Sequence, residues 1–166
     1  MIANFYLTHA LILLAAIGAS LAAVPEALGR PVRRWLLLVP GILGAFAALV
    51  LVAYPELSQL WRPQVWFLGI GAGLGGALRG RLLDMESNQE LNLVRVRRAP
   101  EELMGGLLMV VFSLIEIGIE LKAGDNVRFE PTMELAMAVV GGFLLGRGIM
   151  SFVHSRDIEH MDLEGP

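Results

Sequence analysis

The chain contains no cysteine, which excludes thiolate nucleophiles, disulfides, iron–sulfur ligation and cysteine-based zinc sites. Charge is scarce too: 17% of its 166 residues are charged, against about 25% in an ordinary soluble chain. Histidine occurs three times, at His9, His154 and His160. Only His9 falls in an apolar stretch, so a bis-histidine haem within one chain has no second ligand. Neither Gly-x-Ser-x-Gly nor His-Glu-x-x-His occurs, and Ser113, three residues before Glu116, has no histidine close to it in sequence. No catalytic constellation, metal site or cofactor is expected. The net charge is −3, and the arginines sit at the ends of apolar blocks, not along one stripe, so no nucleic acid is expected as a partner.

What is present is apolar and blocky. The composition is 55% hydrophobic with a mean hydropathy of +0.63. Blocks of about twenty apolar residues, separated by nearly all the charges, take hydrocarbon as their solvent. Five spans are predicted: Phe5 to Val24, closed by Pro25; Trp35 to Ala53; Trp66 to Leu83; Leu103 to Leu121; and Met133 to Val153. At 1.5 Å per residue each covers roughly 27–31 Å. The third is the weakest, being rich in glycine and carrying Arg79 and Arg81. The first could be misread as a cleaved secretory signal, with Ser20-Leu21-Ala22 as a weak cleavage site. It has no basic residue before it and is longer than a signal's apolar core, so it reads as a retained helix.

Basic residues alternate between the connections. Arg30, Arg33, Arg34, Arg79, Arg81, Arg95, Arg97, Arg98, Arg147 and Arg156 fall on one side; Arg62, Lys122 and Arg128 fall on the other. This places the N-terminus outside and the C-terminus inside. Trp35, Trp61, Trp66, Tyr6 and Tyr54 lie at or just beyond span ends, the headgroup depth that amphipathic rings prefer.

The fold class expected is an all-α polytopic bundle, one domain over 1–153, with a frayed polar, acidic tail over 154–166. The longest connection, Asp84 to Glu102, predicts a small amphipathic interfacial hairpin, with a turn at Ser87-Asn88-Gln89 followed by β-prone Leu91, Leu93, Val94 and Val96. Ala99-Pro100-Glu101-Glu102 then opens span four, with proline and carboxylates suited to the positive end of a helix. Gly124-Asp125-Asn126 reads as an outer turn before Pro131.

Glycine dominates the packing signals. Gly69/Gly73, Gly71/Gly75 and Gly76/Gly80 are each spaced by four in span three, and Ala138, Gly142 and Gly146 repeat the device in span five. Ala15/Ala19, Gly18/Ala22, Gly41/Ala45 and Gly44/Ala48 do so in spans one and two, with Pro40 as a kink. In lipid, close backbone approach supplies the association that hydrophobicity cannot. These faces serve packing within the chain or a homo-oligomer. Gly71-Ala72-Gly73-Leu74-Gly75-Gly76 also spells GxGxxG, but the run lies inside a lipid-length segment with no preceding strand, so a nucleotide site is excluded.

The polar residues inside the spans are few. Glu116 lies within span four, where a central charge costs on the order of 3 kcal/mol. The eleven Leu, Ile, Val and Phe residues of that span still carry it into lipid, so Glu116 should face protein or water. Glu120 is one turn further out. His9 lies within roughly 10 Å of the same boundary as Glu116, so the two could bond in depth. Such a group is either a proton or cation site or interhelical glue. Arg147 can snorkel inwards or pair with a carboxylate. Arg79 lies at similar depth, and the two could share a lipid phosphate or ligand anion. His154 and His160, with Asp157, Glu159 and Asp162, read as a solvated tail.

The Gly-rich span ending in Leu78-Arg79-Gly80-Arg81, the short strands, and Val94-Arg95-Val96-Arg97-Arg98-Ala99-Pro100 leading into the next span resemble small bacterial multi-span membrane proteins of the CcdC-like kind. The resemblance covers roughly Gly69 to Leu121 and implies an inner-membrane bundle, with no functional residue carried over. The function expected is that of an accessory or scaffold subunit working by packing in the bilayer against itself or another membrane protein. The alternative is a small transporter or channel using Glu116 with His9 or Glu120.

Overall fold

The computed structural model describes residues 2–53, 62–97, 99–123 and 131–158, without the side chains of 2–6, 98, 120–123 and 131–132. The Gly124-Asp125-Asn126 turn, Tyr54, Trp61, Arg128, Glu159, His160 and Asp162 lie outside the described residues, as do the side chains of Tyr6, Glu120 and Lys122. Among the described residues there are five α-helices: α1 (Ile2–Ala27), α2 (Val39–Ala53), α3 (Pro63–Arg81), α4 (Glu101–Ala123) and α5 (Pro131–His154). Three short strands join them: β1 (Val32–Arg33), β2 (Met85–Asn88) and β3 (Leu93–Val96). A 3-10 segment, Arg34–Leu38, leads into α2. Among the described residues, four helices are long and apolar enough to cross a membrane: α1, α2 with its 3-10 lead-in, α4 and α5. The fifth, α3, falls short because its face is glycine and its end carries Arg79 and Arg81.

Local chemistry explains the helix ends. Gly29 takes φ 67°, and the Arg30 and Gly29 amides donate to the Pro25 and Glu26 carbonyls. That is a Schellman closure, which needs a left-handed residue just past the helix. It carries α1 past Pro25, the expected stop, to Ala27, because the closure satisfies the carbonyls of the last turn. Pro40 does not kink a helix either. The preceding residues wind as 3-10, so α2 starts at Val39 and Pro40 sits in its first turn, where a missing N–H is harmless. Pro63 opens α3 in the same way.

Helix α5 is the axis of the bundle. It runs antiparallel to α2: Gly148 faces the Leu37 carbonyl, Gly41 the Leu144 carbonyl, and Gly141 the Gly44 carbonyl. It runs parallel to α3, with Gly69 against Ala138, Gly73 against Gly142 and Gly80 against the Arg147 carbonyl. The Leu144 side chain fills the hole left by Gly44 and Gly105 beside Met109. Around it Ile12, Ala16, Ala47, Leu51 and Met137 complete the main core. Helix α1 packs on α2 and α4. Gly106 of α4 lies against Ser20 of α1, and Ser20 and Ser113 turn their hydroxyls back onto the Ala16 and Met109 carbonyls of their own helices.

The expected hairpin is present, but it is part of a three-stranded sheet in the order β1-β3-β2, all antiparallel. Ser87 and Asn88 belong to β2, not to the turn. Asn88 accepts from the Leu91 amide through Oδ1, and Asn92 closes the loop at φ 54°, a backbone that asparagine tolerates. The first strand comes from the α1–α2 connection, pairing Val32 with Val94. Val32, Leu37, Leu83, Met85, Val94, Val96 and Ala99 form a second small core that closes one end of the bundle, the sheet end. Ile158 packs on it, and its carbonyl accepts from Gln89. The chain after His154 therefore docks as far as residue 158 instead of fraying at once.

Candidate functional site

Four helices converge at the sheet end on one guanidinium. Arg147 of α5 is 0% exposed. Its Nη2 pairs with Glu26 in the last turn of α1, and its Nη1 with Glu102 in the first turn of α4. Glu101 stands 3.9 Å away through its other carboxylate oxygen. Glu101 in turn accepts from Arg79 of α3, with Nε at 2.8 Å. The set divides in two. At the rim, Arg79 and Glu101 are partly exposed and neutralise each other. Inside, the Glu102 side chain is 0% exposed and that of Glu26 4%, and they share one cation.

Sequence position explains how the groups meet. The Schellman closure at Gly29 holds Glu26 in the final turn of α1. Pro100 starts α4 so that Glu101 and Glu102 occupy its first turn, at the positive end of the helix. Gly76, Gly80 and Gly148 flank Arg147 on its helix and on α3, and their missing side chains let the α3 backbone and the Leu37 carbonyl close over it. A guanidinium presents two parallel faces of donors, so one arginine can serve carboxylates from two helices where a lysine could not.

Arg147 and Arg79 thus meet at a common anion that is a protein carboxylate, Glu101. The sequence does not single out Glu26, and it shows Glu102 only as a carboxylate at the start of span four, not as a partner of Arg147. One signal was available: Arg147 has Phe143 and Ser151 one turn either side, so its charge needs a partner from another helix.

His9 and Glu116 form the second polar feature. Both are buried, at 5% and 2% exposure. Helices α1 and α4 are antiparallel neighbours, with Ser20 at Gly106 and Glu26 near Glu102. Counting outward along both helices from the Ser20–Gly106 contact brings His9 and Glu116 to the same level. At the end away from the sheet, buried Glu134 of α5 lies 3.6 Å from Arg62, which precedes α3. This clamps the start of the α3–α5 pair as Arg79 and Arg147 clamp its end.

Gly69, Gly73, Gly76, Gly80, Gly142 and Gly146 all lie in that α3–α5 interface. A Cβ on Gly142 would run into the Gly69 carbonyl, one on Gly146 into that of Gly73, and one on Gly76 into that of Phe143. The Cα–H groups there instead point at the carbonyls, a weak hydrogen bond that recurs where helices approach closely. Gly71 and Gly75 are different: nothing lies within 4 Å of a Cβ at either. They face outward with Phe67, Leu74 and Leu78.

A half-open cleft of about 440 Å³ lies on the sheet's rim, lined by Leu28, Gly29, Asp84, Glu86, Arg95, Val96 and Arg97. Its charges are spent in the pairs Arg95–Glu86 and Arg97–Asp84. Among the described residues, no group of three His, Cys, Asp or Glu side chains could hold a metal ion. No family model, no curated protein and no solved structure matches this chain.

Proposed function

We propose that this protein is a non-catalytic subunit of a bacterial inner membrane that works by packing, with α3 as its docking helix and a second copy of the chain as its partner. The outward face of α3 carries the reading. Phe67, Gly71, Leu74, Gly75 and Leu78 form a flat exposed strip on a helix too poor in apolar side chains to be a good lipid-facing span. The opposite face of the same helix packs glycine to backbone against a parallel neighbour. A second copy in the same membrane offers a parallel α3 to the outward face. The topology behind this is five crossings, N-terminus outside and C-terminus inside. The parallel run of α3 and α5, with α2 antiparallel to α5, supports α3 as a crossing. The arginine-rich connections at the sheet end support that end as the inner one.

The absence of native cysteine makes the test direct. With Leu74→Cys as the sole thiol, oxidation in membranes should give a disulfide-linked dimer. Ile42→Cys, exposed on α2, should not. Adding Gly71→Leu and Gly75→Leu should abolish the dimer and leave the monomer folded. Monomer alone from Leu74→Cys would end the proposal. A transporter using Glu116 with His9 is the second reading, favoured by their common level on α1 and α4; proteoliposome flux unchanged by Glu116→Gln would remove it.

A further inference from the structure

We propose that Glu26 and Glu102 together hold one exchangeable proton against Arg147, forming a proton-binding site buried where α1, α4 and α5 meet. The charge count leads there. Arg79 and Glu101 cancel at the rim. Inside remain two carboxylates and one guanidinium, so with both acids ionised the interior would carry one uncompensated negative charge. Such a charge is not left buried; the group takes up a proton instead. Two carboxyls that face one site commonly ionise one at a time, and the proton belongs to the pair.

A second observation identifies where the proton can sit. Glu102 places Oε1 on Arg147, and its side chain meets that of Glu26 at hydrogen-bond distance. Two ionised carboxylates have no donor to share, so one of the pair must carry the proton for that contact to be a bond. The charged groups that surround the pair are Arg79 from α3, Glu101 from α4 and Arg147 from α5. A metal cation fits poorly, because the guanidinium already stands between the two carboxylates and would repel it. Ser151, one turn along α5 and also buried, leaves its hydroxyl without a partner among the described residues.

Infrared difference spectroscopy on the full chain in bilayers tests the site. At neutral pH the spectrum should contain the C=O stretch of a protonated carboxylic acid that shifts in D2O. Glu26→Gln and Glu102→Gln should each remove that band, because the remaining acid then pairs with Arg147 as a carboxylate. Glu116→Gln and Glu134→Gln should leave it in place. Each single variant of the pair should keep its thermal midpoint, since the amide replaces a neutral carboxyl, while the double variant should lose stability. Should a single variant fail to insert, the unaltered protein with carboxyl-labelled glutamate carries the test through the isotope shift of the same band.

Three results would overturn the proposal. The first is both single variants losing only ionised carboxylate intensity. The second is a band that never exchanges with D2O. The third is a band that appears only when sodium and potassium are withdrawn, which would assign the site to a metal cation.

Discussion

Gly75 and Gly76 are adjacent, share one helix and differ in what a methyl group would meet. At Gly75 there is nothing within 4 Å. At Gly76 the new Cβ would overlap the Phe143 carbonyl oxygen and lie 2.9 Å from its carbon and 3.0 Å from the Arg147 nitrogen. All these are backbone atoms of α5, so no side chain can turn aside. To restore ordinary contact α3 must move off α5 by on the order of 1 Å, a gap that forfeits a quarter to a half of the local dispersion attraction. The Cα–H···O contact at the position, worth about 0.5–1 kcal/mol, goes with it. Both substitutions gain the same helix propensity, at most about 1 kcal/mol, so it cancels in the comparison. Gly76→Ala should therefore cost about 1–3 kcal/mol relative to Gly75→Ala, or roughly 3–10 °C in midpoint for a chain of this length. The assay is thermal unfolding of the two variants, side by side, in one detergent. Equal midpoints would refute the parallel α3–α5 packing and, with it, the assignment of Gly71 and Gly75 to an outward face.

Two further outcomes follow from the polar groups. Arg147→Gln should destabilise by about 3–5 kcal/mol, the cost of leaving the ionised member of the buried pair without its cation. Arg147→Lys should recover little of it, since one ammonium cannot present parallel donors to Glu26 and Glu102; unfolding midpoints of the two variants check both statements. For His9 and Glu116, a double-mutant cycle with His9→Phe and Glu116→Gln should give a coupling of about 0.6 kcal/mol, the usual strength of an interhelical polar contact in lipid. Strict additivity would mean that the two do not interact.

Much of the molecule was legible along the chain. The apolar blocks corresponded to four helices, among the described residues, that are long and apolar enough to cross a membrane. One helix start came from local stereochemistry, Pro100 before α4; Gly29 after α1 and Pro63 before α3 showed their roles only in the structure. Pro25 and Pro40 misled because each lies within a turn of a helix end: α1 runs through Pro25 to its Schellman closure, and Pro40 follows the first residue of α2, after a 3-10 lead-in. The hairpin was visible from its β-prone residues, but its pairing with β1 was not, because Val32 and Val94 meet only once α1 and α4 are side by side.

What the amino-acid order decided by itself was therefore local: which stretches are long and apolar enough to cross a membrane, where α4 starts, and which faces are smooth. Partner choice was decided by tertiary structure. Three glycine pairs on α3 look alike in one dimension, yet two press on α5 and one is open, because helix rotation sorts them. Arg147 and Glu26 lie 121 residues apart, and no periodicity links them. In water, a buried face announces itself by being apolar; in lipid every face is apolar, so the pattern that would reveal neighbours is erased. Only the crossing of the helices settles which charges they bring together.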